Sequence, residues 1–152
     1  MAEEPFKAGT SKNMSNKAKG SKAERELLSL FTQQGWRAVR VAGSGVNDNS
    51  PCDLLAAKMG RKGFTIEAKS SKKSAIYISK QQIEDFVLFS SILGLTPVIA
   101  LRFNYEGWIF INPSQLQDSG KNWVASLKEA KSQGLKFSQF FEPELNQSDN
   151  SE

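Results

Sequence analysis

Phe64-Thr65-Ile66-Glu67-Ala68-Lys69, taken together with Pro51-Cys52-Asp53 upstream, is the stretch on which the reading of this chain turns. In an extended segment alternate side chains share a face, so Glu67 and Lys69 project together while Ile66 and Ala68 point the other way. Asp53 opens a second apolar run, Leu54-Leu55-Ala56-Ala57, and the intervening Lys58-Met59-Gly60-Arg61-Lys62-Gly63 reads as a tight hairpin turn. Folding the hairpin back brings Asp53 near Glu67. Two carboxylates and a lysine at the end of paired strands make a hard, oxygen-rich site suited to Mg²⁺, with an ammonium close by for a phosphate in transition. The competing reading of Glu67 and Lys69 is a surface cross-strand ion pair worth under ~1 kcal/mol.

Working outward, a chain of 152 residues is one domain's worth, and 39% hydrophobic with 24% charged residues is the composition of an ordinary soluble globular protein. No apolar run approaches the ~20 residues that span a bilayer, and Met1-Ala2-Glu3-Glu4-Pro5 lacks the order of a signal peptide. The expectation is an intracellular, cytoplasmic protein with no membrane partner. One cysteine, Cys52, and no histidine exclude an internal disulfide and a zinc site of the Cys/His kind. Without imidazole to activate it, Cys52 reads as a buried thiol rather than a nucleophile. The net charge is +4, but Phe141 to Glu152 contain Glu142, Glu144, Asp149 and Glu152 and no Lys or Arg, so setting those four acids aside leaves the rest at +8. A basic body with an acidic tail favours a polyanionic partner. A merely lysine-rich solvated surface is the alternative.

Residues 1–19 read as a flexible basic arm. A first helix is expected over Ser21–Gln34, with Ser21 as N-cap, Glu24 in the capping-box position and Gly35 as terminator. At about 100° per residue, Ala23, Leu27, Leu28, Leu30 and Phe31 form one stripe; Glu24 falls inside it, whereas Glu26 points away. A carboxylate on an inward face is costly unless paired or bound to a cation, so Glu24 either completes a capping box or borders a site, and the two roles are compatible. Trp36–Val41 alternates like a strand with one buried face, followed by the small-residue loop Ala42-Gly43-Ser44-Gly45 and the polar stretch 46–51. Arg40, at the base of that loop, is within reach of a bound phosphate or is an ordinary surface charge.

After the hairpin strands 53–58 and 63–69 come a β-prone piece, Ala75–Ile78, and a helix over about Lys80–Leu93 with Ser79 as N-cap and Gly94 as stop. Its core stripe is Ile83, Phe86, Val87 and Phe89; Leu88, Ile92 and Leu93 widen the apolar arc beyond one buried face, which suggests a homodimer surface or complete burial. Pro97–Phe103 has the pattern of a central strand covered on both sides, and Trp108–Ile111 follows a turn at 104–107. A short amphipathic helix near Trp123–Ser132, an apolar segment 135–141 and a disordered acidic tail, 142–152, complete the chain. The order implies an α/β sandwich with a mixed central sheet.

Set side by side, these residues resemble the PD-(D/E)XK nuclease superfamily and, within it, the archaeal-type Holliday junction resolvases. The likeness is carried by Lys19-Gly20-Ser21-x-Ala23-Glu24-Arg25-Glu26, by Val39–Gly45, by Glu67-Ala68-Lys69, by Ile76–Ile78 and Phe89–Gly94, and extends through Trp108-Ile109-Phe110, covering about residues 18 to 111. Cys52 separates Pro51 from Asp53, a departure expected to cause only a local shift. The resemblance implies a restriction-endonuclease-like core and a dimeric, metal-dependent endonuclease that nicks opposing strands of a four-way DNA junction, and the nuclease domain as a whole is expected over 20–141. Motif by motif it implies metal-binding carboxylates at Glu24, Asp53 and Glu67, a catalytic lysine at Lys69, and accessory DNA-contacting or catalytic groups at Arg25, Arg40 and Ser44. Mg²⁺ is the expected cofactor, with Mn²⁺ able to substitute. Lys72 and Lys73, with Lys58, Arg61, Lys62 and Lys80, are candidate phosphate contacts. A nuclease of the same fold acting on linear or damaged duplex, and a non-catalytic DNA-binding protein on a retired nuclease fold, are the alternatives.

Overall fold

The β2–β3 hairpin forms as its sequence dictates and becomes the middle of a five-stranded sheet. The computed structural model describes residues 11–41 and 50–143, and for 11–21 the backbone alone. The elements are α1 (Ser11–Gln33), β1 (Arg37–Arg40), β2 (Leu54–Ala57), β3 (Phe64–Ser71), β4 (Ala75–Ser79), α2 (Lys80–Leu93), β5 (Thr96–Phe103), β6 (Trp108–Ile111), a 3-10 turn at Pro113–Gln115, β7 (Gln117–Asp118), β8 (Asn122–Ser126), α3 (Leu127–Gln133) and α4 (Phe137–Phe141). The large sheet has the order β1-β2-β3-β5-β6, with β3 and β5 parallel and the other neighbours antiparallel. It is a mixed sheet in an α/β fold.

Alternation along β3 and β5 divides the interior into two cores. Phe64, Ile66, Val98 and Ala100 pack with Leu27 and Phe31 of α1 and Phe137 and Phe141 of α4. Ile99, Leu101 and Phe103 pack on the opposite layer with Ile83 and Phe86 of α2 and Ile76, Ile78 and Ala125 of the small sheet. That period-two division puts Glu67 and Lys69 on the α2 side. The inner position of β5 explains its apolar run: Val98, Ile99, Ala100 and Leu101 are all fully buried.

The start of the first helix, the helix expected from Trp123 and the start of the tail are corrected: Glu142, expected in the disordered acidic stretch 142–152, is buried and paired with Lys58, while 144–152 lie outside the described residues. α1 begins at Ser11 rather than Ser21, because the lysine-rich stretch before Ser21 has no proline to stop a helix and one interior glycine, Gly20, costs only ~1 kcal/mol. Ser21 is therefore an interior helical residue, the Ser21–Glu24 capping box is not formed, and residues 11–19 of the expected arm are helical; residues 1–10 lie outside the described residues. Trp123–Ser126 is strand, not helix: Trp123 and Val124 pair with Ile78 and Tyr77 in a small sheet of order β4-β8-β7, and Ser126 caps α3, its Oγ accepting from the Glu129 N–H at 3.2 Å. β1 is an edge strand with α1 over one side only, and its Val39 is exposed. Residues 135–141 form an irregular start and α4, whose Phe137, Phe140 and Phe141 join Phe31, Trp36, Phe64 and Phe110 in one aromatic cluster with centroid separations of 4.8–6.3 Å.

α2 follows the sequence closely. The Ser79 side chain accepts from the Gln82 N–H at 3.1 Å, and Gly94 closes the helix at φ 69° in the left-handed region, where glycine has no Cβ penalty. Ile83 and Phe86 are buried and Val87 and Phe89 half-buried, but Leu88 (60%), Ile92 (73%) and Leu93 (46%) stand in solvent. Complete burial within the domain is thereby excluded for this arc.

Candidate active site

The hairpin register carries Asp53 to the place opposite Glu67. Leu54 pairs with Ile66, and one residue further the Asp53 N–H donates to the Ile66 carbonyl at 2.9 Å while the Ala68 N–H donates to Asp53 Oδ2 at 2.8 Å. The insertion of Cys52 leaves this approach intact; Cys52 turns into the core with its Sγ 3.6 Å from the Leu54 carbonyl. Burial, reinforced by the charges of Glu67 and Asp53, pushes its thiol up to about 12, which leaves it protonated and removes it as a nucleophile.

Glu67 is only 4% exposed. Its Oε1 accepts from Gln82 Nε2 at 2.8 Å and lies 3.4 Å from Lys69 Nζ. Burial, and then the negative charge of Asp53, raise its carboxyl to about 8 despite the opposing pull of Lys69 and Gln82. The carboxyl of Asp53 is also pushed up, first by burial and then by Glu24, against the Ala68 N–H, Lys69 and a hydrogen bond from the Glu67 side chain. Both acids are thus disfavoured as anions, with a lysine beside them. A hard dication is the species that would let both ionise, so the donor chemistry of Asp53 and Glu67 fits Mg²⁺.

Glu24 approaches from α1 on the other layer. It is within electrostatic reach of Asp53, but its Oε2 is held by Arg40 Nε at 2.7 Å. Among the described residues no three acids close around one point at ligand spacing. The structure therefore brings together Asp53, Glu67 and Lys69, and leaves Glu24 beside them in an ion pair. Three of the four, Glu24, Asp53 and Lys69, line one open cavity of about 930 Å³, whose wall also includes Lys72, Arg102 and Tyr105.

The remaining sequence-derived residues divide by position. Lys72 is on the cavity wall and exposed, and exposed Lys73 follows it. Arg25 lies off this cavity, in a shallow groove with Lys22, Glu26, Ser29 and Gln33 on the outer side of α1. Ser44 lies outside the described residues. Lys58, Arg61 and Lys62 sit at the turn end of the hairpin, and Lys58 is bound there to Glu142 at 2.9 Å; Lys80 is engaged by Asp118 at 2.9 Å and lies over the Trp123 ring. Three participants were not foreseen. Gln82 carried no signal beyond its place three residues after an N-cap serine. Arg102, the one charge in an apolar strand, pairs with Glu26 off the apolar stripe of α1. Tyr105 stands in the turn after β5.

A family model for archaeal Holliday junction resolvases (Hjc) matches residues 15–148. This chain belongs to that family. It is 45% identical over 109 residues to the crossover junction endodeoxyribonuclease Hjc of Methanocaldococcus jannaschii, covering 70% of this chain and 74% of the relative. It is 36% identical over 107 residues to the enzyme of that name from Archaeoglobus fulgidus, covering 70% and 78%. The solved structure of Archaeoglobus fulgidus Hjc, a Holliday junction resolvase from an archaeal hyperthermophile, superimposes with a TM-score of 0.70 at 31% identity, over 78% of this chain and 97% of that one. The Hjc likeness covers the whole sheet and the hairpin site, and the fold is restriction-endonuclease-like.

Proposed function

We propose that this chain is a metal-dependent endodeoxyribonuclease that resolves four-way DNA junctions, acting as a homodimer in the cytoplasm. The observation that carries the proposal is the pairing of half-buried Asp53 with buried Glu67 across the hairpin, with Lys69 3.4 Å from Glu67 and both Asp53 and Lys69 on the wall of one open cavity. A surface ion pair would have placed Glu67 in solvent; instead its cover makes its charge expensive, which is the condition of a functional acid rather than a decorative one.

In this reading Asp53 and Glu67 hold Mg²⁺, with Mn²⁺ as a substitute, and Glu24 adds a third carboxylate if Arg40 turns to a phosphate. Bound there, the ion supplies an activated water and neutralises charge on the phosphate. Lys69 presents its ammonium to the non-bridging oxygens as charge builds in the transition state. Gln82 fixes the rotamer of Glu67 by taking Oε1, and the Ala68 N–H fixes Asp53, so the two acids do not have to be ordered when substrate arrives. Lys72, Lys73, Arg25, Arg40 and Ser44 supply phosphate contacts, which position DNA without reading its sequence. Selectivity for a junction then rests on shape, with two active sites set by a dimer formed through Leu88, Ile92 and Leu93 of α2, the exposed apolar arc of that helix.

The test is cleavage of a synthetic immobile four-way junction and of a linear duplex of the same sequence with Mg²⁺, with Asp53→Asn as control. Paired nicks in the junction, absent in the variant and in chelator, are expected. Equal cutting of both substrates would remove junction selectivity, and metal-dependent cutting of neither would leave a DNA-binding protein.

A further inference from the structure

The turn between β5 and β6, Asn104-Tyr105-Glu106-Gly107, puts a tyrosine where the backbone asks for glycine. Tyr105 has φ 62°, and among the described residues it alone outside glycine lies at positive φ. Its side chain is 100% exposed, the full area of an aromatic ring in water. Both features work against folding: the left-handed region crowds a Cβ, and the ring buries nothing in return. The turn itself is not loose. The Glu106 N–H donates to the Phe103 carbonyl at 3.1 Å, Glu106 Oε1 pairs with Lys131 Nζ at 2.7 Å, and Phe103 is buried in the core. A firm base therefore holds a fully presented ring at the wall of the cavity that also contains Asp53 and Lys69.

The chemistry of that wall identifies what the ring meets. Lys69, Lys72 and Arg102 are cations suited to phosphates, whereas Tyr105 offers a flat apolar face suited to another flat face. On the DNA-cleaving reading above, on which this inference rests, that second face is a nucleobase. Inside a continuous duplex each base face is covered by its neighbours; at a branch point stacking is interrupted and faces become available. We propose that Tyr105 is a base-stacking subsite, which takes the uncovered face of a nucleobase at the branch point and so separates junctions from linear duplex beside the catalytic acids. Stacking of this kind tolerates any base, in keeping with a site that does not read sequence.

The experiment compares the full-length wild type with Tyr105→Gly, Tyr105→Asn and Tyr105→Phe in Ca²⁺ buffer, which permits binding without cutting. The probes are an immobile four-way junction carrying 2-aminopurine at the branch point and a linear duplex of the same sequence. Tyr105→Gly and Tyr105→Asn are expected to bind the junction about 10-fold more weakly, to leave duplex affinity within about twofold, and to change the 2-aminopurine emission seen with wild type. Tyr105→Phe keeps wild-type behaviour in all three. Thermal unfolding of Tyr105→Gly should occur at or above the wild-type temperature, since glycine relieves the left-handed backbone. Unchanged junction affinity and emission in both non-aromatic variants would overturn the inference, as would an equal loss on junction and duplex. Wild type that neither binds nor cuts the junction would instead overturn the proposed function, before any variant is compared.

Discussion

The β2–β3 hairpin runs between two glutamates that are hidden almost equally, Glu142 at its turn end (7% exposed) and Glu67 at its open end (4%). Their acidities move in opposite directions. Glu142 is held below the usual carboxylate range, first by the hydrogen bond it accepts from Lys58 at 2.9 Å, and this outweighs the cost of its cover. Glu67 is pushed up to about 8, although Lys69 is only 3.4 Å away. The difference lies in the company. Lys58 serves one acid, whereas Lys69 must answer Asp53 as well as Glu67, with Glu24 adding to the negative charge. One end is a closed ion pair that ties α4 to the hairpin; the other is short of positive charge and ready to receive it.

The contrast can be broken most severely by Asp53→Asn. Removing one of the two acids should abolish Mg²⁺-dependent junction cleavage, a fall of at least ~10³-fold in single-turnover rate, while thermal stability is kept or improved because the like-charge neighbour of Glu67 is gone. A variant that still cuts within tenfold of wild type would show that the open end is not the reactive one. The next effect is on pH dependence. In metal-free buffer the unfolded chain loses the Glu67 proton near its ordinary value of 4.5, but the folded chain holds it to about 8. The unfolded state therefore binds fewer protons through that window, and stability falls as pH rises from about 5 to 8, by a few kcal/mol at most. Urea denaturation across this range in chelator should show the fall in wild type and a shallower one in Glu67→Gln, where the raised Asp53 remains; a rise in wild type would reverse the assignment. The smallest effect is expected at the turn end. Glu142→Gln should cost about 1 kcal/mol at neutral pH, since Lys58 is partly exposed and screened, and that cost should vanish as pH drops through the carboxylate range, where wild-type Glu142 also becomes neutral. Its junction cleavage should match wild type, which separates the structural carboxylate from the reactive one.

Much of the site was legible because strand alternation and one hairpin suffice to place it. Ile66 and Ala68 against Glu67 and Lys69, and the return of Asp53, needed no long-range information. α2 was legible for the same reason, since Ser79 and Gly94 mark its ends locally. What escaped depended on partners distant in sequence. Trp123–Ser126 has a helix-compatible pattern until β4 offers it hydrogen bonds, and only the tertiary pairing decides between the two. The Ser21 boundary failed because a good N-cap residue is also tolerated inside a helix whose upstream turn costs little. Gln82 was silent because a neutral amide carries no motif, and Glu24 could be placed on the inward stripe but not assigned its partner, Arg40.

α2 joins two of these observations along a single rod. Its first turn grips Glu67 through Gln82, and its second half displays Leu88, Ile92 and Leu93 about 9 to 16 Å further on, at about 1.5 Å per residue. On the dimer proposed above, the surface that seats a second subunit and the residue that orients the carboxylate would belong to one rigid helix. Loss of that helix's cap at Ser79 would then disturb both at once.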